Sequence, residues 1–313
     1  MIPVLDTDDY VTRLLSRERP GEAGILAFYE HRVGAVCRNP RLMLMPLDDH
    51  LAHRGDGIFE SMKYLHRRIY QLDAHLERMR RSAAGLYLAP PCTWERLREI
   101  IIEVAKAGGE ADGSIRVLVG RGPGGFGIDP AECPEPSLYV AAYHFTPKPE
   151  AWFDKGLTAF RSSIPAKQGY LARIKNANYL PNVLMTREAH ERGMDVPFSF
   201  DDEGFLAETA IANVALVDQT GTLVVPEFTN ALAGTTVLRA VELAQGEVPV
   251  SFRKVREEEL HAAREILVLG TSSDCVAVVA YEGRPVADGR PGPVSRRLRA
   301  LLQADLMGHG VPF

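Results

Sequence analysis

Apolar residues recur at helical spacing in a few stretches and alternate with polar ones in many others, which predicts short strands interspersed with helices. Two short strands are predicted over 25–29 and 33–37 around a polar turn, and Gly55-Asp56-Gly57 marks the turn before a strand over 58–64. A second strand over 68–72 leads into a helix that Asp73 can cap, that keeps its period from Ala74 to Ala84 and that has Gly85 near its end. Trp94, Leu97, Ile101, Ile102, Val104 and Ala105 fall on one face of an amphipathic helix over 94–107, and strands follow over 114–120 and 137–145.

Thr146-Pro147-Lys148-Pro149-Glu150 interrupts the pattern as a linker would. Beyond it a strand is predicted over 157–162, then a helix in which Leu180, Val183 and Leu184 recur at helical spacing, Pro181 suits the first turn and Gly193 is the stop. Phe198 and Phe200 alternate with polar neighbours, Asp201-Asp202-Glu203-Gly204 makes a hairpin turn, and 205–207 returns toward Glu208. Strands over 223–226 and 265–269, a helix over 237–244 and a closing helix from 296 to about 302, capped by Ser295, complete the chain. The pattern divides into an N-terminal domain over 1–145, a linker over 146–150 and a larger C-terminal domain over 151–313. A chain of 313 residues fits two domains at roughly 100 to 200 residues each.

Bulk composition removes several classes. With 46% hydrophobic and 25% charged residues and a formal net charge of −5, neither nucleic acid nor an anionic membrane is suggested as a partner. No stretch approaches the roughly 20 apolar residues of a membrane span, and the acidic N-terminus lacks a signal-like apolar core, so a cytoplasmic location is expected. Cys37, Cys92, Cys133 and Cys275 have no paired spacing, which argues against a disulfide framework and against a metal site.

Three stretches carry candidate chemistry. Lys175 follows the apolar Ile174, and a lysine that leaves water for an apolar pocket loses stability as an ammonium and becomes an amine nucleophile. Glu208 sits where a strand emerges, beside small residues that would let a flat ligand approach; taken alone, the pair also fits a surface lysine and a loop glutamate. Ala233-Gly234-Thr235-Thr236 gathers amides and hydroxyls at a predicted helix N-terminus, where an anion or a plain N-cap would be equally at home. Gly120-Arg121-Gly122-Pro123-Gly124-Gly125 satisfies the spacing of a dinucleotide loop, but 126–130 cannot open the helix such a site needs, so a nucleotide-dependent oxidoreductase is disfavoured. A mobile loop over a substrate pocket, with Arg121 meeting a carboxylate, fits better.

Residues 174–217 resemble the class IV aminotransferases, the pyridoxal-phosphate enzymes of fold type IV that include branched-chain and D-amino acid aminotransferases and aminodeoxychorismate lyase. The resemblance rests on Lys175, Asn178-Tyr179-Leu180, Glu188-Ala189, Gly193, Glu208 and Asn213, and upstream on Gly55-Asp56-Gly57-Ile58-Phe59-Glu60 with His75 and Arg78. It implies an α+β fold of two α/β domains with pyridoxal 5′-phosphate between them. Lys175 would carry the cofactor and shuttle a proton, Glu208 would hold the pyridine nitrogen, and Tyr179 and Asn213 would lie beside the ring. Arg78, Gly234, Thr235, Thr236 and Thr271 would hold the phosphate, although Arg78 read alone could also be one of three arginines on a solvated helix face. Phe59, Arg116, Arg121 and Ser272 would meet the substrate. The reaction implied is amino transfer between a branched-chain L- or D-amino acid and a 2-oxo acid such as 2-oxoglutarate, with aminodeoxychorismate lyase as the alternative. A homodimer is implied by the resemblance alone. Phe59 stands where relatives carry a tyrosine, which removes a hydroxyl from the substrate pocket, and the loop over 122–130 lacks the Arg-x-His of bacterial D-amino acid enzymes.

Overall fold

The computed structural model describes all of residues 1–313. After a peripheral helix α1 (Thr7–Ser16) the chain lays down β1 (Ile25–Glu30), β2 (Ala35–Cys37), a short helix α2 (His50–Arg54) and β3 (Gly57–Leu65). Then come β4 (Arg68–Ile69), helices α3 (Leu72–Gly85) and α4 (Trp94–Gly108), β5 (Gly113–Gly120) and β6 (Ser137–Tyr143). These strands form a seven-stranded sheet whose central ladders, β3 to β5 to β6 to β1, are antiparallel. Period-two alternation explains its two faces. In β5, Ile115, Val117 and Val119 pack under α4 with Leu97, Ile101 and Val104, while Ser114, Arg116 and Leu118 point the other way.

The strand expected over 68–72 is only two residues long. Gln71 adopts a left-handed φ of 54°, turns the chain and becomes the N-cap, so α3 starts at Leu72 and Asp73 lies in its first turn instead of capping it. The loop over 120–125 is likewise no lid. Gly122 holds φ 106° against the Glu135 carbonyl, where any Cβ would stand 1.8 Å from the oxygen, and the His50 amide donates to the Gly122 carbonyl at 3.1 Å. Because β5 and β6 pair antiparallel across this loop, no crossover helix opens at Gly125, and the dinucleotide spacing there is coincidental.

The second half opens with α5 (Glu150–Lys155), β7 (Leu157–Arg161), a turn of helix α6 (Gly169–Ala172) and α7 (Leu180–Arg192). It continues through β8 (Val196–Phe200), β9 (Leu206–Thr209), β10 (Asn213–Val217), β11 (Leu223–Pro226), α8 (Thr235–Leu243), β12 (Val250–Arg253) and α9 (Glu257–Ala262). It finishes with β13 (Glu265–Gly270), β14 (Asp274–Tyr281), β15 (Arg284–Pro285), α10 (Pro293–His309) and β16 (Val311–Pro312). The nine-stranded sheet runs β12, β11, β10, β13, β14, β7, β8, β9, with β15 off β14, and a further bridge from Asn213 to Glu208 joins β10 back to β9. The sheet therefore closes on itself around Phe198, Leu216, Ile266, Val276 and Val278, and α8 and α10 cover its outer side.

Two expectations change here. The closing helix begins at Pro293 and runs to His309; the Glu265 carboxylate accepts from the Val294 and Ser295 amides at 2.9 Å and so provides the cap expected of Ser295. Past it, β16 pairs with β4, so the last residues return to the first sheet and the C-terminal unit does not run unbroken from 151 to 313.

Candidate active site

The two sheets meet over a cavity of about 460 Å³. Lys175 reaches it because its segment docks on the edge of β3: the Phe59 amide donates to the Lys175 carbonyl at 3.0 Å, the Ala177 amide to the Gly57 carbonyl at 2.9 Å, and the Lys175 amide to Ser82 Oγ at 3.2 Å. These bonds, with the Ile58–Asn176 bridge, fix the backbone, and the side chain runs along Phe59. Its Nζ lies 4.5 Å from the Phe59 ring centre and donates to Tyr179 Oη at 3.2 Å. Desolvation, helped by the positive charge of Arg78, lowers its pKa to about 8, against the pull of Glu60 and Glu208.

Glu208 closes the cavity from the second sheet. Burial raises its pKa to about 7; the Leu232 amide, donating to Oε2 at 3.2 Å, and the charges of Lys175, Lys167 and Arg78 hold it from rising further. Tyr179 stands between the two groups with its ring edge-on to Phe59 at 4.8 Å, and burial and the Glu208 charge raise its phenol. Asn213, across the strand bridge from Glu208, donates to the Leu232 carbonyl at 2.8 Å and so anchors the turn before α8. That turn passes so close that a Cβ on Gly234 would stand 1.9 Å from Asn213 Oδ1, so a larger residue there would have to displace the Asn213 side chain and its bond to Leu232. Gly234 is the N-cap of α8, and Thr235 and Thr236, both buried, occupy the first turn, where backbone donors have no intrahelical partner.

Every residue to which the resemblance gave a cofactor or substrate role lines this cavity except Arg121. Arg121 is consumed elsewhere. It grips Asp56 through Nε and Nη2 at 2.9 and 3.1 Å and donates to the carbonyls of Leu86 and Tyr87, so it staples α3 to the 55–57 turn and cannot meet a substrate carboxylate. Arg78 is buried, unlike the exposed Arg81 of the same helix, and its guanidinium forms a fork on Glu60 at 2.7 and 2.6 Å. Arg116 faces the cavity with its guanidinium 5.0 Å from the Phe59 ring centre and its buried Nε without a partner. Thr271 and Ser272 sit in the turn between β13 and β14, beside a buried pair in which Lys63 Nζ donates to Asp274 Oδ1 at 2.6 Å.

Glu60 and His75, which in the sequence carry the resemblance without a site role, and Lys63 and Lys167, which carry neither, also stand in or against this site. For Glu60 a signal existed: Ile58, Met62 and Tyr64 mark the buried stripe of β3, and a carboxylate in that stripe needs a partner. Lys167, with Nζ 4.4 Å from the Tyr179 ring centre and its pKa lowered by burial, comes from an irregular stretch that gave no such signal.

The family model of class IV amino-transferases matches residues 57–281, from β3 to the end of β14. The chain belongs to this family. The chloroplastic D-amino-acid transaminase of Arabidopsis thaliana is 34% identical over 315 residues, covering 97% of this chain and 82% of the plant protein. Among solved structures, a branched-chain amino acid aminotransferase of T.th. with pyridoxamine 5′-phosphate superposes with a TM-score of 0.85 at 26% identity, covering 91% of this chain and 95% of that one. The same enzyme with N-(5′-phosphopyridoxyl)-L-glutamate superposes at 0.84 with the same identity and coverage. Fold and family together identify a pyridoxal 5′-phosphate-dependent aminotransferase of class IV.

Proposed function

We propose that this class IV aminotransferase moves an amino group between a branched-chain L- or D-amino acid and a 2-oxo acid such as 2-oxoglutarate. The observation that carries this reading is Arg116. Its guanidinium lies in the cavity with a buried nitrogen unpartnered and no acidic neighbour in contact, flanked by Phe59 and Leu118. Arg116 is half-buried, its Nε is shielded from water without a partner, and a carboxylate is the natural complement of such a guanidinium, while the adjoining apolar wall suits a hydrocarbon side chain.

The donor set fits the cofactor. Arg78 and the first turn of α8, with Gly234, Thr235 and Thr236, combine a cation, amides and hydroxyls suited to a phosphate; Thr271 extends this set from the neighbouring turn. Glu208 would hold a proton at the pyridine nitrogen, Tyr179 and Asn213 would bound the ring, and Ser272 would meet a substrate oxygen. When bound, pyridoxal 5′-phosphate supplies an aldehyde for the substrate nitrogen and a ring that accepts electrons. Lys175, whose pKa lowered to about 8 keeps a useful minority of it as free amine near neutral pH, would carry that aldehyde carbon and would hold or move the α-proton of the amino acid.

In the test, the yellow protein receives one amino acid at a time from a panel of L and D forms. A donor should bleach the colour by leaving its nitrogen on the cofactor, and 2-oxoglutarate alone should restore it. Arg116→Ala should raise the KM for 2-oxoglutarate by about tenfold to a hundredfold, the worth of a hydrogen bond to a charged group, and change the KM for a monocarboxylic 2-oxo acid much less. Pyruvate release from aminodeoxychorismate, with no bleaching by any amino acid, would overturn this reading in favour of a lyase.

A homodimer in the cytoplasm belongs to the same proposal. Leu180, Val183 and Leu184, whose helical spacing marks α7, point outward: α7 buries Asn182, Met185 and Ala189 instead, leaving Leu180 67% and Val183 59% exposed, with Ile211, which lines the cavity, 77% exposed. An apolar patch of that kind beside an active site suits a second copy of the chain. All four cysteines are free thiols, as a reducing compartment requires. Sedimentation should give twice the chain mass of 34.5 kDa, and Leu180→Asp with Val183→Asp should shift it toward the monomer; a wild-type monomer would refute the dimer.

A further inference from the structure

Glu60 is the one carboxylate on β3, buried completely between that strand and α3. Its Oε1 accepts from Arg78 Nε at 2.7 Å, and its Oε2 accepts from Arg78 Nη2 at 2.6 Å and from His75 Nδ1 at 2.7 Å. Both oxygens are used, and both partners come from one face of α3, three residues apart. Desolvation alone would raise this carboxyl, but the charge and hydrogen bonds of Arg78, with those of His75, outweigh it and hold the pKa at about 2. His75, also buried, is depressed by desolvation against the pull of Glu60; as a neutral ring with its proton on Nδ1 it leaves Nε2 bare. That nitrogen faces Thr235 Oγ1 at 3.4 Å.

We propose that Glu60 is a positioning residue that, from behind the strand, sets two arms of the phosphate site: the free Nη1 edge of Arg78 directly and the Thr235 hydroxyl through His75. This rests on the reading that the cofactor phosphate lies at the N-terminus of α8. The fork on Nε and Nη2 fixes the guanidinium plane and leaves Nη1 as the only nitrogen turned outward, 3.5 Å from the Ala233 carbonyl, one residue before the N-cap Gly234. The imidazole in turn sets the rotamer of the threonine in the first turn of α8. One carboxylate thus fixes a group on α3 and a group on α8, helices that otherwise belong to different sheets.

Neutralising Arg78 is the simpler role, and charge argues against its sufficiency. A negative charge behind the arginine opposes a phosphate dianion in front of it, so if charge were the whole contribution, removing it would tighten phosphate binding. Position must outweigh that opposition. Two substitutions test this: Glu60→Asp keeps the charge and both accepting oxygens but withdraws them by one methylene, whereas Glu60→Gln keeps the length, removes the charge and puts a donating NH2 where one oxygen accepts.

The purified apoenzyme is titrated with pyridoxal 5′-phosphate and with pyridoxal, which lacks the phosphate. Glu60→Asp should raise the Kd for pyridoxal 5′-phosphate by about tenfold or more, since bonds of Arg78 and Thr235 to the phosphate are both misaligned. It should leave the Kd for pyridoxal within about twofold and move the ³¹P resonance of the bound cofactor. Glu60→Gln, with one acceptor lost, should also weaken pyridoxal 5′-phosphate and spare pyridoxal, although the charge opposing the phosphate is gone. Equal losses for the two ligands, unchanged affinity in Glu60→Asp, or tighter binding of pyridoxal 5′-phosphate by Glu60→Gln would each overturn the proposal. Should Glu60→Asp fail to fold by circular dichroism, His75→Asn, which spares the Arg78 fork, decides: it must weaken pyridoxal 5′-phosphate and not pyridoxal. A wild-type protein that binds both ligands equally would instead refute the phosphate site itself.

Discussion

Lys175→Ala abolishes borohydride-stable attachment of the cofactor and lowers amino transfer by about a thousandfold or more, the combined scale of a lost nucleophile and a lost general base. The fold survives, because the bonds that seat this segment on β3 and Ser82 come from its backbone and not from the amine. The pH dependence follows from the pKa of about 8. An ordinary lysine near 10.4 is roughly 0.1% free amine at pH 7.5, whereas one near 8 is roughly a quarter free, a gain of more than a hundredfold in nucleophile. The free amine is the deprotonated form, so attachment to the apoenzyme should quicken as pH rises through about 8 and level off above it. Peptide mapping of the reduced protein checks the assignment. Lys167 is the rival, being the other half-buried lysine beside Tyr179, with its pKa also lowered by burial. An adduct on Lys167, or attachment whose rate keeps climbing to pH 10, sinks the role given to Lys175.

The elements were legible where one physical signal dominated. The strands expected over 58–64 and 114–120 and the amphipathic helix over 94–107 match β3, β5 and α4 to within a residue at each end. The turn glycines that matter, Gly55 and Gly193, have the positive φ their positions suggested. The site was legible for a different reason: Lys175, Glu208, Asn213 and Gly234 fall at spacings shared with a family, which carries tertiary information that periodicity does not.

What failed to read has identifiable causes. In α7 Leu180, Val183 and Leu184 face solvent, while Met185 with the small or polar Asn182 and Ala189 faces the protein, a partial inversion that a single-chain rule cannot anticipate. Arg121 departs from its expected role because a guanidinium near a glycine-rich loop can pair with a substrate carboxylate or with one of the protein's own, and Asp56, sixty-five residues away, supplies the latter. The last strand pairs with β4 through a contact spanning most of the chain, for which two residues of sequence give no cue. Glu60 shows the reverse case, where a polar residue in an apolar stripe was the visible sign of a long-range partner.

Glu208→Gln should keep the protein yellow and its attachment to Lys175 intact, yet lower the rate of the first half-reaction by about a hundredfold to ten-thousandfold, the range of a misplaced proton donor or acceptor. Retention is expected because the phosphate donors at α8 and the amine lie apart from Glu208, and because glutamine preserves the size and the oxygen that accepts from the Leu232 amide at 3.2 Å. The rate falls because only a carboxylate can hold a proton on a ring nitrogen by charge. Burial has raised this carboxyl to about 7, so without a cationic partner it is about half ionised at neutral pH. A protonated ring beside it favours the ionised form, and each unit by which the pKa falls back is worth about 1.4 kcal/mol of coupling between the two charges. The sign can be measured: cofactor binding at pH 7 should release protons from wild-type Glu208, and fewer from Glu208→Gln, when heats of binding are compared in buffers of different ionisation enthalpy. Single-turnover kinetics at saturating amino acid isolates the chemical step from cofactor loss. A variant that turns over within about tenfold of wild type, or one that simply loses its cofactor, would show that Glu208 supports the cavity wall and not the ring nitrogen.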